Sequence, residues 1–203
     1  MQSSAGFTIF ELMITVAVLG IALSLGVPSL QQFIMDNRLV SQLNQLSGAL
    51  ALARSEAVKQ NVPVVVCVSS DGKACDTTGV NWDRGWIVFV DRNANMTIDG
   101  AGDGCAQGAT ADCVLAVQSA FPGGVTTLVP AAGVVKLIGY DGTGAARCDK
   151  DADGTFEDCA SATSYFTLCD RRGAAHARAL AVSRTGRSTI AETDPLGGAL
   201  TCP

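Results

Sequence analysis

Eight cysteines, Cys67, Cys75, Cys105, Cys113, Cys148, Cys159, Cys169 and Cys202, are the residues of this sequence best equipped for chemistry. No C-x-x-C spacing occurs among them, so a tetrahedral zinc site is disfavoured. An even count downstream of an export-type N-terminus points instead to disulfides and an oxidising compartment. Eight cysteines allow roughly a hundred pairings. Short turn-rich loops lie between neighbours, so the expectation is sequential: Cys67–Cys75, Cys105–Cys113, Cys148–Cys159 and Cys169–Cys202, the last pinning the tail.

The acid–base inventory is thin. His176 is the lone imidazole, set among Ala and Arg, and no G-x-S-x-G, phosphate loop or metal triad is present. The chain reads as a non-enzyme, and no cofactor is expected. Asp149-Lys150-Asp151-Ala152-Asp153-Gly154 reproduces the first half of an EF-hand loop, which makes Asp149, Asp151 and Asp153 candidate calcium ligands. The twelfth position is Ala160, however, so the bidentate Glu is missing, and a solvated Asp/Gly turn is the better reading. Asp91-Arg92-Asn93-Ala94-Asn95 is a weaker match, with Met96 in place of the glycine.

Charge is unevenly spread. The 203 residues carry a formal net charge of −5. Residues 71–170 hold fourteen acids against six bases, or −8, whereas 171–191 hold Arg171, Arg172, Arg178, Arg184 and Arg187 with no acid. A local cationic stripe on an acidic protein can attract phosphates by charge alone.

These residues must be positioned by elements that the apolar pattern reveals. Hydrophobic residues make up 48% and charged residues 16%, with a mean hydropathy of +0.29, which excludes a disordered polar chain. From Phe7 to Met35 a single charged side chain, Glu11, interrupts an apolar run. About 20 such residues suffice for a helix to cross a bilayer. A cleaved signal peptide would show a basic n-region and a small-residue cleavage site after the run, and neither is present. Glu11 is then the anomaly, because a carboxylate at membrane depth costs roughly 2.5–3.5 kcal/mol on insertion scales and needs a partner.

Gly6-Phe7-Thr8-Ile9-Phe10-Glu11, followed by that run, resembles the processing motif of type IV pilins and the pseudopilins of type II secretion. The resemblance implies cleavage after Gly6 by a prepilin peptidase, methylation of the new N-terminal Phe7, and Glu11 as the fifth mature residue. A cationic amine on Phe7 of one subunit would pair with Glu11 of a neighbour inside an apolar bundle. Breaking such a pair is costly even where forming it gains little, so the pair sets register. Gly20, Gly26 and Pro28 predict a kink or loosened stretch of helix.

Beyond Pro28, apolar residues recur at Leu39, Leu43, Leu46, Leu50, Ala53 and Ala57, steps of three and four that mark one helix face, and Asn61 and Pro63 end the helix. After residue 60, runs at 62–69, 85–90, 113–119, 134–140, 164–169 and 177–183 have strand length and Val, Ile or aromatic enrichment. Trp82-Asp83-Arg84-Gly85-Trp86-Ile87-Val88-Phe89-Val90-Asp91-Arg92-Asn93 looks like the W-x-x-G-W-x-V-F-x-D-x-N signature of the minor-pilin branch that contains FimU, FimT and GspH. Ala53-Arg54-Ser55-Glu56-Ala57 resembles the helix end of that branch.

The fold expected is therefore α+β, a pilin fold: one long N-terminal α-helix packed on a mostly antiparallel β-sheet head with disulfide-closed loops. Its expected parts are a leader at 1–6, an apolar assembly helix at 7–35, an amphipathic continuation at 36–60 and a β-rich head at 61–203. The resemblance implies a minor type IV pilin, with other pilins or pseudopilins, the prepilin peptidase and an inner-membrane assembly platform as partners. It places the subunit in the inner membrane with a periplasmic head, and then in a filament. A minor pseudopilin of type II secretion is the alternative. FimT-like pilins that take up DNA through a G-R-x-R motif are a second: Gly186-Arg187-Ser188-Thr189 matches its first half, which makes Arg178, Arg184 and Arg187 candidate DNA contacts.

Overall fold

The computed structural model of the chain describes residues 6–76, 81–100, 105, 108–131, 136–149, 157–159 and 164–203. Its contacts divide into two units, Met1–Arg38 and Leu39–Pro203. A single helix, α1 (Ile9–Gln60), runs from the first unit into the second. Asn61 takes a left-handed conformation just past its end (φ 55°), and Pro63 follows, so the chain cannot continue as helix.

Within the first unit the helix is apolar from Ile9 to Met35 apart from Glu11 and a few uncharged polar side chains. Every residue from Gly6 to Ile34 is exposed, including Phe7, Ile9, Phe10, Leu12, Met13 and Leu25. The hydroxyls of Thr15 and Ser24 donate back to the Leu12 and Ile21 carbonyls, each at 2.8 Å, so both polar groups are satisfied within the helix. That arrangement suits a medium that offers no partners of its own. α1 continues through Gly20, Gly26 and Pro28 as one element.

The second unit holds ten strands among the described residues. They are β1 (Val64–Val68), β2 (Gly85–Val90), β3 (Cys113–Ser119), β4 (Thr126–Pro130), β5 (Leu137–Tyr140), β6 (Ala146–Cys148), β7 (Glu157–Asp158), β8 (Tyr165–Asp170), β9 (Arg178–Val182) and β10 (Ser188–Ala191). They form two sheets, ordered β3-β2-β1-β5-β6-β7 and β10-β9-β8-β4, and the pairings are antiparallel. The sequence suggested one sheet. The second exists because β4 and β10 flank β8 and β9, and neither flanking strand is apolar enough to stand out in the sequence. Pro130 is accommodated because β4 is an edge strand, where a missing N–H breaks no ladder.

Side chains in β1 and β2 alternate between two cores, as the two-residue period of a strand requires. Val64, Val66, Val68, Trp86, Val88 and Val90 join Leu39, Leu43, Leu46, Leu50, Ala53 and Ala57 of α1 in the main core. Val65, Cys67, Ile87 and Phe89 face the other way and are covered by Cys75, Met96 and Ile98. Both strands are thus buried on both faces, which explains their nearly continuous apolar runs.

Four disulfides close the second unit: Cys67–Cys75, Cys105–Cys113, Cys148–Cys159 and Cys169–Cys202. The pairing is sequential, and no cysteine is free.

Candidate functional site

The N-terminal end of α1 is built locally. Thr8 precedes the first helical residue, and its Oγ1 accepts the Glu11 backbone N–H at 3.2 Å. The Thr8 carbonyl accepts the Leu12 N–H, also at 3.2 Å. Thr8-x-x-Glu11 thus has the spacing of a capping box, a signal legible in the sequence itself. Glu11 falls in the first turn, where the helix dipole favours a negative charge. Glu11 is exposed, as are Gly6 and Phe7, so each is accessible to an outside partner.

Each residue of the tryptophan signature has a structural task in the second unit. Trp82 is fully buried in a short 3-10 turn (Trp82–Arg84), with its ring edge-on to Phe166 of β8 at 4.8 Å between centroids. The adjoining Asp83 accepts the Phe121 N–H through its backbone carbonyl at 2.8 Å and the Leu128 N–H through Oδ1 at 3.3 Å. This turn therefore joins the two sheets. Gly85 has φ 110°, and a Cβ there would sit 2.4 Å from the Gln118 carbonyl oxygen, so only glycine fits. Trp86 packs edge-on against Phe121 at 5.7 Å.

Asp91 is fully buried, and its two carboxylate oxygens accept the Asn95 N–H at 3.2 Å and the Met96 N–H at 2.8 Å. Burial pushes the Asp91 carboxyl up, against the pull of those N–H groups and with a further push from Asp112. Asp112, also buried, accepts the Arg92 N–H at 2.8 Å and the Asp99 N–H at 2.9 Å. The 91–99 loop, the weaker of the two calcium-like matches, thus has its backbone N–H groups held by the buried carboxylates of Asp91 and Asp112, and it carries Met96 and Ile98 over the second core.

For the other acidic stretch, Asp149 is 1% exposed, which corrects the expectation of a solvated turn at that position. It follows β6 directly, and β6 is anchored through the buried Cys148–Cys159 bridge. Asp151 and Asp153, the other two candidate calcium ligands, lie outside the described residues. Among the described residues no group of three or more His, Cys, Asp or Glu side chains is placed to hold a metal.

The arginine stripe is much less cationic than its composition. Arg172 holds Asp170 through Nε and Nη2 at 2.9 and 2.7 Å. Burial raises the Asp170 carboxyl, but the hydrogen bonds and charge of Arg172 outweigh it and leave the group below its ordinary range. Arg178 pairs with Glu192 at 3.0 Å, and Arg184 with Asp158 at 3.1 Å. Arg147 bridges Asp158 and Asp141, the latter at 3.3 Å. Of the three candidate DNA contacts, Arg187 alone meets no carboxylate among the described residues, and it is exposed.

Arg54, on the Ala53–Ala57 motif, fastens α1 to the head: its Nε donates to the Gly144 carbonyl at 3.0 Å. Gly186 has φ 80°, and a Cβ there would lie 2.5 Å from the Gly144 oxygen and 2.9 Å from Arg54 Nε, so the turn before Arg187 can close on the helix only as glycine.

Comparison with known proteins follows this division. Residues 1–27 match the prokaryotic N-terminal methylation motif. Residues 42–186 match the family described as type II transport protein GspH. The pilin-like protein PilA1 of Thermus thermophilus is 34% identical over 98 residues, 46% of this chain and 53% of that protein. The chain thus spans about half the length of this curated relative. Solved structures of the type IV minor pilin FimU of Pseudomonas aeruginosa align at 20% identity and a TM-score of 0.47, covering 78% of this chain and 92% of that one. A second crystal form aligns at 19% and 0.45, covering 75% and 92%. The GspH match takes in the tryptophan signature, the first sheet, β4, β8 and β9 of the second and α1 from Gln42 onward, and the methylation motif precedes it: the chain belongs to the GspH family of the type IV pilins and pseudopilins.

Proposed function

We propose that this protein is a minor subunit of a type IV pilus, held in the inner membrane by the first part of α1 before it joins the filament, where it primes or caps assembly. The observation that carries this reading is the run of exposed residues from Gly6 to Ile34, helical from Ile9 and apolar enough to cross a membrane, in which Glu11 is the one charged side chain. So much apolar surface is stable only in lipid or against other helices. Cleavage after Gly6 creates a cationic amine at Phe7, and Glu11 of a neighbour neutralises it within the bundle. Thr8 remains after cleavage, so the cap on the Glu11 turn survives in the mature chain. Gly20, Gly26 and Pro28 mark where the helix loosens on assembly, because Pro28 cannot donate a helical hydrogen bond. Its partners on this reading are other pilins, the prepilin peptidase and the assembly platform, and the mechanism involves no covalent catalysis by this chain.

Glu11→Leu is expected to leave membrane insertion and leader cleavage intact while lowering incorporation at least tenfold, measured as the ratio of subunit in sheared filaments to subunit in membranes. Wild-type incorporation of that variant would remove Glu11 from assembly. A pseudopilin of type II secretion uses the same physics, and the family description favours it. Loss of protein secretion, with twitching intact, on deleting the gene would select that alternative.

The DNA-uptake reading rests on Arg187, since Arg178 and Arg184 are engaged by carboxylates. If it holds, the detergent-solubilised chain shifts a labelled duplex at low salt, the affinity falls steeply with added salt, and Arg187→Ala removes the shift. No shift at low salt, or one indifferent to Arg187→Ala, ends it.

A further inference from the structure

Ala51, Arg54, Ser55 and Val58 of α1 face the turn Gly186-Arg187-Ser188 across an open cleft of about 610 Å³. Two guanidinium groups line it, and neither is paired with a carboxylate among the described residues. Arg54 is fixed in place by its Nε bond to Gly144, and Arg187 is exposed at the end of the β9–β10 turn, where its backbone closes on Ser183. Ala51 and Val58 give the cleft an apolar part, and Val58 is 52% exposed. The opposing elements are tied together by a hydrogen bond between the Ser47 and Ser188 hydroxyls at 2.9 Å, so the cleft is preformed.

We infer that this cleft docks an acidic segment of a neighbouring filament subunit, with a carboxylate seated between Arg54 and Arg187 and an adjacent apolar side chain on Ala51 and Val58. The inference rests on the filament role proposed above and adds the chemistry of a contact made by the head. Charge complementarity argues for the occupant: two preorganised guanidinium groups suit a carboxylate, which each can bind through two parallel N–H bonds. It also argues against nucleic acid. A duplex rewards a row of phosphate contacts, whereas Arg172, Arg178 and Arg184 each face a carboxylate, leaving Arg171 and Arg187 of the stripe without one among the described residues, on a chain of net charge −5. Exposed apolar surface within the cleft has no use against a phosphate backbone and a clear use against a peptide.

The test is a photo-activated cross-linker placed at Val58 of the full-length protein in filament-producing cells, with products mapped by mass spectrometry from sheared filaments. The expected product joins Val58 to a segment of another subunit that carries Asp or Glu within two residues of the cross-link. Arg187→Glu should reduce its yield at least tenfold, and Arg187→Lys should retain most of it, with thermal unfolding of both variants unchanged. A product that maps to a segment without acids, or a yield indifferent to Arg187→Glu, overturns the inference while the filament role stands. Absence of the wild-type protein from filaments overturns both. Cross-linking to DNA in place of protein replaces the inference with the nucleic-acid reading.

Discussion

Trp82→Ala is expected to destabilise the head by about 3–5 kcal/mol, the range for removing a large aromatic side chain from a core that relaxes only in part. Trp82 is 0% exposed, its ring lies edge-on to Phe166 of the second sheet, and both rings belong to the main core that also holds the leucines of α1. Removing it also uncouples the Asp83 turn, whose bonds to Phe121 and Leu128 depend on the chain staying in register. For a chain of this size such a loss lowers the melting temperature by on the order of 10 °C. Thermal unfolding of the detergent-solubilised chain by far-UV circular dichroism measures it. A shift of only a degree or two would mean that the sheets hold together without this ring. Trp86→Ala at 2% exposure provides a comparison, because its contact with Phe121 is made without the bridge to the second sheet.

Removing the Cys169–Cys202 bridge by a double alanine substitution is expected to cost about 4 kcal/mol in the chain-entropy account, because that account weights a bridge by the loop it closes. Here the separation is 33 residues, against 8 for Cys67–Cys75, where the same account gives about 2.5 kcal/mol. The bridge holds the tail against β8: Cys169, Ala177, Ala179 and Leu200 form a small core of their own, with Cys202 and Tyr165 packed on it. The double variant should therefore lose stability to urea and become open to proteolysis after Ala191, while β1 and β2 stay protected. If the Cys67/Cys75 double variant is instead the less stable of the two, loop entropy is not what these bridges supply.

Much of the head was legible in the sequence because its strongest signals are periodic. All six residues of the apolar stripe, Leu39, Leu43, Leu46, Leu50, Ala53 and Ala57, are buried. Val64–Val68 and Gly85–Val90 announced themselves as strands because both of their faces are covered. β4, β6, β7 and β10 did not, since Thr126-Thr127, Ala146–Cys148, Glu157-Asp158 and Ser188–Ala191 are short, polar or small and become strands by pairing with neighbours already in place. The cap of Thr8 on Glu11 was within reach of a spacing rule.

What the sequence determined by itself is the local content: an apolar helix with one acid near its start, an amphipathic continuation, and a head of Val-rich strands and an even number of cysteines. Periodicity and residue type suffice for these, because each depends on neighbours a few positions apart. Only the tertiary structure decided how the head divides into two sheets and which charges survive. The stripe at 171–191 looks strongly cationic until Asp158, Asp170 and Glu192 are brought against Arg184, Arg172 and Arg178. Arg54 and Arg187, more than a hundred residues apart, line one cleft because Gly186 lets a turn close on the helix. Contacts of that range are set by packing, and no local pattern in the chain encodes them.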